Sequence, residues 1–148
     1  MDDSWQITAM RLASLATAIN VLVACGFSIA GLVSPLLILP ATDSANHASF
    51  IFALYAAART IPLALFAFVA IRSQSPLALL LLGGLAGAVQ LLDAGVGIVL
   101  GDTAKTVGPL AIAALQFASL YFLQKTISRE HPELMPQILQ VEGVALDE

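Results

Sequence analysis

The stretch LLLLGGLAGAVQLLDAGVGIVL at residues 79–100 decides the fold. It is apolar apart from Gln90 and one acidic residue, Asp93, and it is long enough to cross the roughly 30 Å hydrocarbon core of a bilayer as a helix. Backbone N–H and C=O groups in lipid must bond within their own segment, which excludes an open strand. The stretch therefore predicts a membrane-spanning helix.

Three further runs have the same character, and together they give predicted spans at about 12–39, 50–71, 77–100 and 107–124. The chain of 148 residues is 59% hydrophobic and only 11% charged, whereas soluble domains carry about 25% charged residues. The sequence predicts an all-α protein, a four-helix transmembrane bundle that forms a single domain over 1–124. Residues 125–148 are expected to form an acidic, flexible cytoplasmic tail, with a short surface helix near 134–141 as the alternative.

Basic residues set the predicted orientation, because cytoplasmic loops of membrane proteins carry an excess of lysine and arginine. On one side of the membrane the segment ends hold Arg11, Arg72, Lys125 and Arg129. The loops on the other side, 40–49 and 101–106, hold only Lys105. Short connections make consecutive helices antiparallel neighbours. We therefore expect an up-down-up-down bundle with both termini in the cytoplasm.

Turn and cap residues mark the predicted helix ends. Pro40 ends the first span, unless Pro35 bends its last turn or ends it earlier. Ser75 followed by Pro76 fits an N-cap and the first helical position of the third span. Short polar side chains that accept hydrogen bonds are favoured at N-caps. The candidates for the second span are Asp43, Ser44 and Ser49.

Several classes of site are excluded or disfavoured. A single cysteine, Cys25, excludes an internal disulfide and a multi-cysteine metal site within one chain. His47 and His131 lie in opposite loop or tail segments, so an integral haem or metal cofactor is not expected. No basic run suggests nucleic acid. The segment LVACG at 22–26 matches a bacterial lipobox, but the acidic start and the apolar residues after it favour an uncleaved first span.

Polar residues at bilayer depth mark the candidate site, because a charge there costs roughly 2.5–3.5 kcal/mol even on the lenient insertion scale. At a rise of 1.5 Å per residue, Arg59, Asp93, Gln90 and Gln116 are predicted roughly 10–15 Å from the outer ends of their spans. Tyr55 lies one turn outward of Arg59. We expect these five residues to form a buried polar layer, in which Asp93 pairs with Arg59 and stays ionised.

Other polar and small residues in the spans are expected to hold helices together rather than to bind a ligand. Asn20 is expected well below it, toward the inner side, hydrogen-bonded to a neighbouring helix. Gly83 and Gly87 form a GxxxG motif, and Gly84 with Ala88 repeats the spacing. Such spacing predicts close contact between helices.

Different roles for Arg59 and Asp93 stay open. In the first, they form a satisfied structural ion pair that fixes helix register, since polar contacts hold membrane helices together. In the second, they line an outward-facing cavity and bind a polar head group, a quinone or an anion, since buried charges often mark ligand pathways. In the third, Asp93 carries protons without a stable partner.

The chain from about 50 to 124 resembles the DoxX-like superfamily of small four-helix bacterial membrane proteins, particularly its uncharacterised members. The resemblance rests on AAARTIPLAL at 56–65, on LLLLGGLAGAVQLLDAGVG at 79–97 and on GPLAIAALQFASLYFL at 108–123. It implies a four-helix membrane bundle with Arg59 and Asp93 as the matching positions, in a bacterial inner membrane. The namesake of the family is linked to a thiosulfate:quinone oxidoreductase, which makes quinone the one cofactor suggested here.

We expect an accessory membrane protein, with no catalytic activity of its own, that binds a small amphipathic ligand or a partner at the polar layer. A small proton- or ion-coupled transporter working as a homodimer is one alternative. A quinone-binding subunit that serves a membrane redox partner is another. No nucleophile–base pair, phosphate loop or metal set in the sequence points to catalysis by the chain alone.

Overall fold

The computed structural model describes residues 3–37, 39, 44 and 46–130. Four long helices make up almost all of them: α1 (Asp3–Val33), α2 (His47–Arg72), α3 (Pro76–Val99) and α4 (Thr103–Glu130), with a short 3₁₀ turn at Pro35–Leu37. The described ranges contain no strand. All four helices are long and apolar enough to cross a membrane. The predicted all-α, four-helix transmembrane bundle is confirmed.

The ends of α1 and α4 differ from the predicted spans. Helix α1 ends at Val33 rather than near residue 39, which confirms the alternative of an earlier end at Pro35, because Pro35 lacks a backbone N–H and disfavours helical geometry at Ser34. Helix α4 continues to Glu130, through the first residues of the predicted tail. The alternative surface helix near 134–141 lies outside the described residues.

Side-chain caps fix the starts of α2 and α3. Asn46 caps α2, because its Oδ1 accepts a hydrogen bond from the N–H of Ser49 at 2.9 Å and Ser49 Oγ accepts one from the N–H of Asn46 at 3.0 Å. Of the predicted caps, Ser49 thus serves as the partner within this capping box, and Asp43 lies outside the described residues. Ser75 caps α3 as predicted, with its Oγ accepting from the N–H of Ala78 at 3.4 Å.

The turn between α3 and α4 is held by Asp102. Its Oδ1 accepts hydrogen bonds from the backbone N–H groups of Ala104 and Lys105, both at 3.1 Å. Its Oδ2 lies 3.0 Å from the Nζ of Lys105. The side-chain hydrogen bond from Lys105, with the backbone hydrogen bonds, holds the pKa of Asp102 below its usual value. This turn lies at the end of the bundle, outside the spans.

Small side chains let the helices approach closely. One buried cluster consists of Val21 with Ala64, Ala67 and Ala86, which brings α1, α2 and α3 together. A second joins α1, α3 and α4 through Ala9, Met10, Ala13, Leu79, Leu120 and Leu123. Each helix packs against its two neighbours, and α1 also meets α3 across the bundle. Helix association in membranes relies on such close packing, because lipid tails are as apolar as the side chains.

Candidate functional site

Four uncharged polar side chains meet in the centre of the bundle. Gln90 Nε2 donates to Asn20 Oδ1 at 2.9 Å, and Asn20 Nδ2 donates to Gln116 Oε1 at 3.3 Å. Gln116 Nε2 in turn donates to Thr17 Oγ1 at 2.9 Å. The chain of hydrogen bonds therefore connects α1, α3 and α4. We call Thr17, Asn20, Gln90 and Gln116 the amide network.

The amide network is closed to the outside of the bundle. Thr17 and Gln116 are completely buried, Asn20 is 1% exposed and Gln90 is 3% exposed. Ser119 adds a hydrogen bond from its Oγ to the backbone carbonyl of Gln116 at 2.7 Å. Uncharged groups that satisfy one another can stay at this depth, whereas an unpaired polar group in a low-dielectric interior is costly. The network therefore acts as a specific bond between helices.

The position of Asn20 differs from the expectation that it lies well below the polar layer. Helix α1 begins at Asp3 and ends at Val33, so Asn20 lies near its middle and at the level of Gln90. The expected hydrogen bond to a neighbouring helix is present. Thr17 was not singled out from the sequence, although Thr17 and Asn20 are three residues apart and share a helix face. That spacing is the sequence signal from which Thr17 could have been found.

Glycines on α3 make room for the network. A methyl group at Gly83 would lie 2.7 Å from Gln116 Nε2 and 2.9 Å from Thr17 Oγ1, and one at Gly87 would lie 3.2 Å from Gln116 Cγ. The predicted helix contact at this GxxxG motif is confirmed. The second pair with this spacing does not pack in the same way, since a methyl group at Gly84 would meet nothing within 4 Å.

The two charged residues of the predicted layer lie on the outside of the bundle. Arg59 on α2 and Asp93 on α3 are both exposed, whereas the layer was expected to be buried. The Nε of Arg59 donates to the backbone carbonyl of Tyr55 at 3.3 Å, and the Tyr55 side chain is itself exposed. The side-chain amides of the network occupy the core of the bundle at this level, and they need no counter-charge. Arg59 and Asp93 lie at the surface instead.

Arg59 and Asp93 carry opposite charges but form no salt bridge with each other. Among the residues that the structure describes, however, the ion pair that forms is the one between Asp102 and Lys105. Within the described part of the chain, neither Arg59 nor Asp93 is therefore neutralised by direct contact.

The C-terminal part of α3 leaves Asp93 exposed. Leu79, Ala86 and Asp93 follow at intervals of seven residues and so share a face of the helix. Leu79 and Ala86 are buried, and Ala86 packs on the alanines of α2. Asp93, two turns further along, is exposed. We call the surface of Arg59, Tyr55 and Asp93 the charged face.

The five predicted site residues are thus divided between two places. Gln90 and Gln116 meet in the amide network, and Arg59, Tyr55 and Asp93 form the charged face. Three residues turn a helix by about 300°, so Gln90 and Asp93 point in directions about 60° apart. This difference is enough to place one inside the bundle and the other outside.

A smaller polar contact joins α1 to α2. Ser28 Oγ donates to Thr60 Oγ1 at 3.1 Å, and Thr60 Oγ1 donates to the carbonyl of Ala56 at 2.8 Å. Cys25 Sγ lies 3.8 Å from the carbonyl oxygen of Thr60. Cys25 is thus a half-buried residue within α1 that packs on α2. Within the described part of the chain, no three His, Cys, Asp or Glu residues come together as metal ligands.

No family model, curated protein or solved structure matches the chain. The resemblance to the DoxX-like superfamily stays a prediction that rests on the motifs around Arg59 and Asp93. The charged face and the amide network are therefore the features of the molecule that bear on its function.

Proposed function

We propose that the protein is an accessory, non-catalytic membrane protein that binds a partner or an amphipathic ligand through its charged face. The observation that carries this proposal is the exposure of Arg59 and Asp93 on helices that are otherwise suited to lipid. Binding takes place on the side of α2 and α3, within the depth of the bilayer. In this proposal the protein resides in a bacterial inner membrane, with both termini in the cytoplasm.

Exposed charges at bilayer depth are costly unless another group covers them. A charged side chain at the bilayer centre costs roughly 2.5–3.5 kcal/mol on the insertion scale, and charges in spans generally pair or line a functional path. By helix rise, Arg59 lies about 18 Å from the start of α2, near the middle of a helix about 39 Å long. Snorkelling to the membrane surface relieves charges near helix ends, not at this depth. A bound group that contacts Arg59 and Asp93 lowers the free-energy cost of both charges.

The interior of the bundle is filled, which favours a binding site on its outer surface. Its central level is filled by the amide network, whose members bond to one another and are at most 3% exposed. A ligand there would have to break hydrogen bonds between helices. On the charged face, by contrast, both charged groups are exposed and no direct ion pair has to be broken.

Site-specific photocrosslinking tests this proposal in native membranes. A benzophenone amino acid replaces Tyr55, which lies on the charged face and is 64% exposed. The matched control replaces Tyr121 on α4, which is 60% exposed and lies on a different helix of the bundle. We expect a discrete adduct, identified by mass spectrometry, from position 55 and only bulk lipid from position 121. The adduct should disappear in the double variant Arg59→Gln, Asp93→Asn.

Two results contradict the proposal. One is bulk lipid alone at both positions, since the charged face would then be covered by nothing specific. The other is a discrete adduct at position 55 that persists when both charges are removed, since Arg59 and Asp93 would then contribute nothing to binding.

A further inference from the structure

We propose that the group covering the charged face is a second copy of this chain, with Arg59 of each copy paired to Asp93 of the other. This inference rests on the proposed function, because it names the partner of the same face. The resulting assembly is a two-fold symmetric dimer through α2 and α3, held at bilayer depth by two ion pairs between chains.

The charge pattern of the face is complementary to itself. It presents one cation, Arg59, and one anion, Asp93, so its charges sum to zero. In a two-fold interface the same patch is used twice, and if residue i contacts residue j then j contacts i. Each arginine therefore meets an aspartate in such a dimer, and no charge is left over. A partner of single charge leaves one of the two residues unpaired.

The depths of the two residues suit a two-fold axis along the membrane normal. By helix rise from the α2–α3 turn, Arg59 lies about 20 Å and Asp93 about 26 Å along their helices, a difference of about one turn. A two-fold axis along the normal leaves every residue at its own depth. The hydrogen bond from Arg59 Nε to the carbonyl of Tyr55 directs the arginine side chain toward Tyr55, which lies about 26 Å from the same turn by helix rise and so at the level of Asp93.

Depth also favours a protein partner over a lipid head group. Head groups lie outside the hydrocarbon core, which is roughly 30 Å thick, whereas Arg59 lies near the middle of α2. Another transmembrane chain presents a carboxylate at that depth without moving a head group into hydrocarbon. Arginine also binds carboxylates through two parallel hydrogen bonds, which fixes the geometry of such a contact.

A charge-exchange experiment separates pairing between chains from every other arrangement. The variants are Arg59→Asp and Asp93→Arg, each made with two different affinity tags and tested for self-association by co-purification from membranes. In a dimer of either variant alone, both contacts join like charges. When the two variants are expressed together, both contacts of the mixed dimer join opposite charges. An interaction within one chain, or with a lipid or another protein, cannot be restored by mixing.

We expect each variant alone to lose self-association by more than about tenfold and the mixed pair to recover it, since juxtaposed like charges are strongly unfavourable. The double variant Arg59→Asp, Asp93→Arg should also self-associate. Self-association of either single variant at the wild-type level overturns the inference, as does a mixed pair no better than either variant alone.

A milder pair of variants covers the case in which charge reversal prevents folding. Arg59→Gln and Asp93→Asn remove the ion pairs without creating repulsion, and wild-type self-association in the double variant overturns the inference. The photocrosslink at position 55 distinguishes this failure from that of the proposed function. A charge-dependent adduct to a lipid or to a different protein retains the proposed function and overturns the dimer, whereas bulk lipid alone overturns both.

Discussion

The side-chain amide of Gln90 donates to the Oδ1 of Asn20 over 2.9 Å, between two helices that are diagonal neighbours in the bundle. Both residues are almost completely buried. The bond continues through Asn20 to Gln116 and from there to Thr17. One uncharged hydrogen-bonded set therefore fixes the rotation and the depth of α1, α3 and α4 relative to each other.

The first prediction concerns Gln116→Leu. This change leaves Asn20 Nδ2 and Thr17 Oγ1 without their partner in the centre of the bundle. We expect the free energy of unfolding to fall by about 1–2 kcal/mol, the range found for hydrogen bonds between membrane helices in model peptides. The measurement is unfolding by sodium dodecyl sulfate in mixed micelles. Gln124→Leu, on the exposed side of the same helix, should have no comparable effect. Equal losses of unfolding free energy in the two variants would show that the amide network adds no stability beyond that of an exposed glutamine.

The second prediction compares adjacent glycines. Gly83→Ala places a methyl group 2.7 Å from Gln116 Nε2, so Gln116 must shift and its hydrogen bonds must weaken. We expect a loss of about 1–3 kcal/mol, typical of overpacking a close contact. Gly84→Ala meets nothing within 4 Å, and alanine favours a helix over glycine, so stability should be unchanged or higher. The same unfolding assay compares the two variants. A loss of stability from Gly84→Ala as large as that from Gly83→Ala would contradict the close packing at Gly83.

The third prediction concerns the crossing of α3 and α4 near their connecting turn. A methyl group at Gly97 would lie 2.5 Å from the carbonyl carbon and oxygen of Lys105. Backbone atoms cannot move aside as a flexible side chain can, so the start of α4 must shift. We expect Gly97→Ala to destabilise the bundle by about 3 kcal/mol, at the upper end of the usual cost of overpacking. Gly95→Ala is the control, since a methyl group there meets nothing within 4 Å. Thermal unfolding in one mild detergent compares them, and similar midpoints for the two variants would refute the close crossing.

The fourth prediction is a pH dependence from Asp102. The side-chain hydrogen bond from Lys105, with the backbone hydrogen bonds, places the pKa of Asp102 in the folded state below its ordinary value of 3.8. A lowered pKa in the folded state gives stability that is present above the ordinary value and is lost as the pH falls through the lowered, folded-state value. Wild type should therefore lose more stability than Asp102→Asn as the pH falls from about 5 to below the folded-state pKa of Asp102. Stability is measured by thermal unfolding at low salt. An equal loss of stability in wild type and Asp102→Asn would exclude Asp102 as a source of the pH dependence.

The spans and the start of α3 could be predicted from the sequence because lipid imposes strong rules. A backbone in hydrocarbon must be helical, so the apolar runs indicate the helices directly. Ser75 before a proline is a local signal that needs no knowledge of the neighbours. The cap of α2 was missed because Asn46 competes with several similar polar residues in the same loop. Local rules do not rank such residues.

The faces of the helices could not be predicted in the same way. Most large apolar side chains are exposed on the outside of the bundle and most buried apolar residues are alanines, so the usual contrast between apolar inside and polar outside is absent. Spacing alone would therefore place Gln90 and Asp93, which are three residues apart, on one face of α3. The structure places the neutral residue inside and the charged one outside, a choice that depends on which partners Asn20 and Gln116 provide.

The amide network also has a consequence for biosynthesis. Asn20 and Gln116 are separated by 96 positions in the chain, so α1 leaves the ribosome long before its partner on α4 exists. At a synthesis rate of about 5–20 residues per second, that interval lasts roughly 5–20 seconds. During this time Asn20 lies in a helix destined for hydrocarbon without its hydrogen bond to Gln116, and until α3 is made it also lacks the hydrogen bond from Gln90. The newly made α1 therefore has to remain in contact with water, the insertion machinery or another polar surface until the last helix arrives, and assembly of the bundle is completed only after translation of α4.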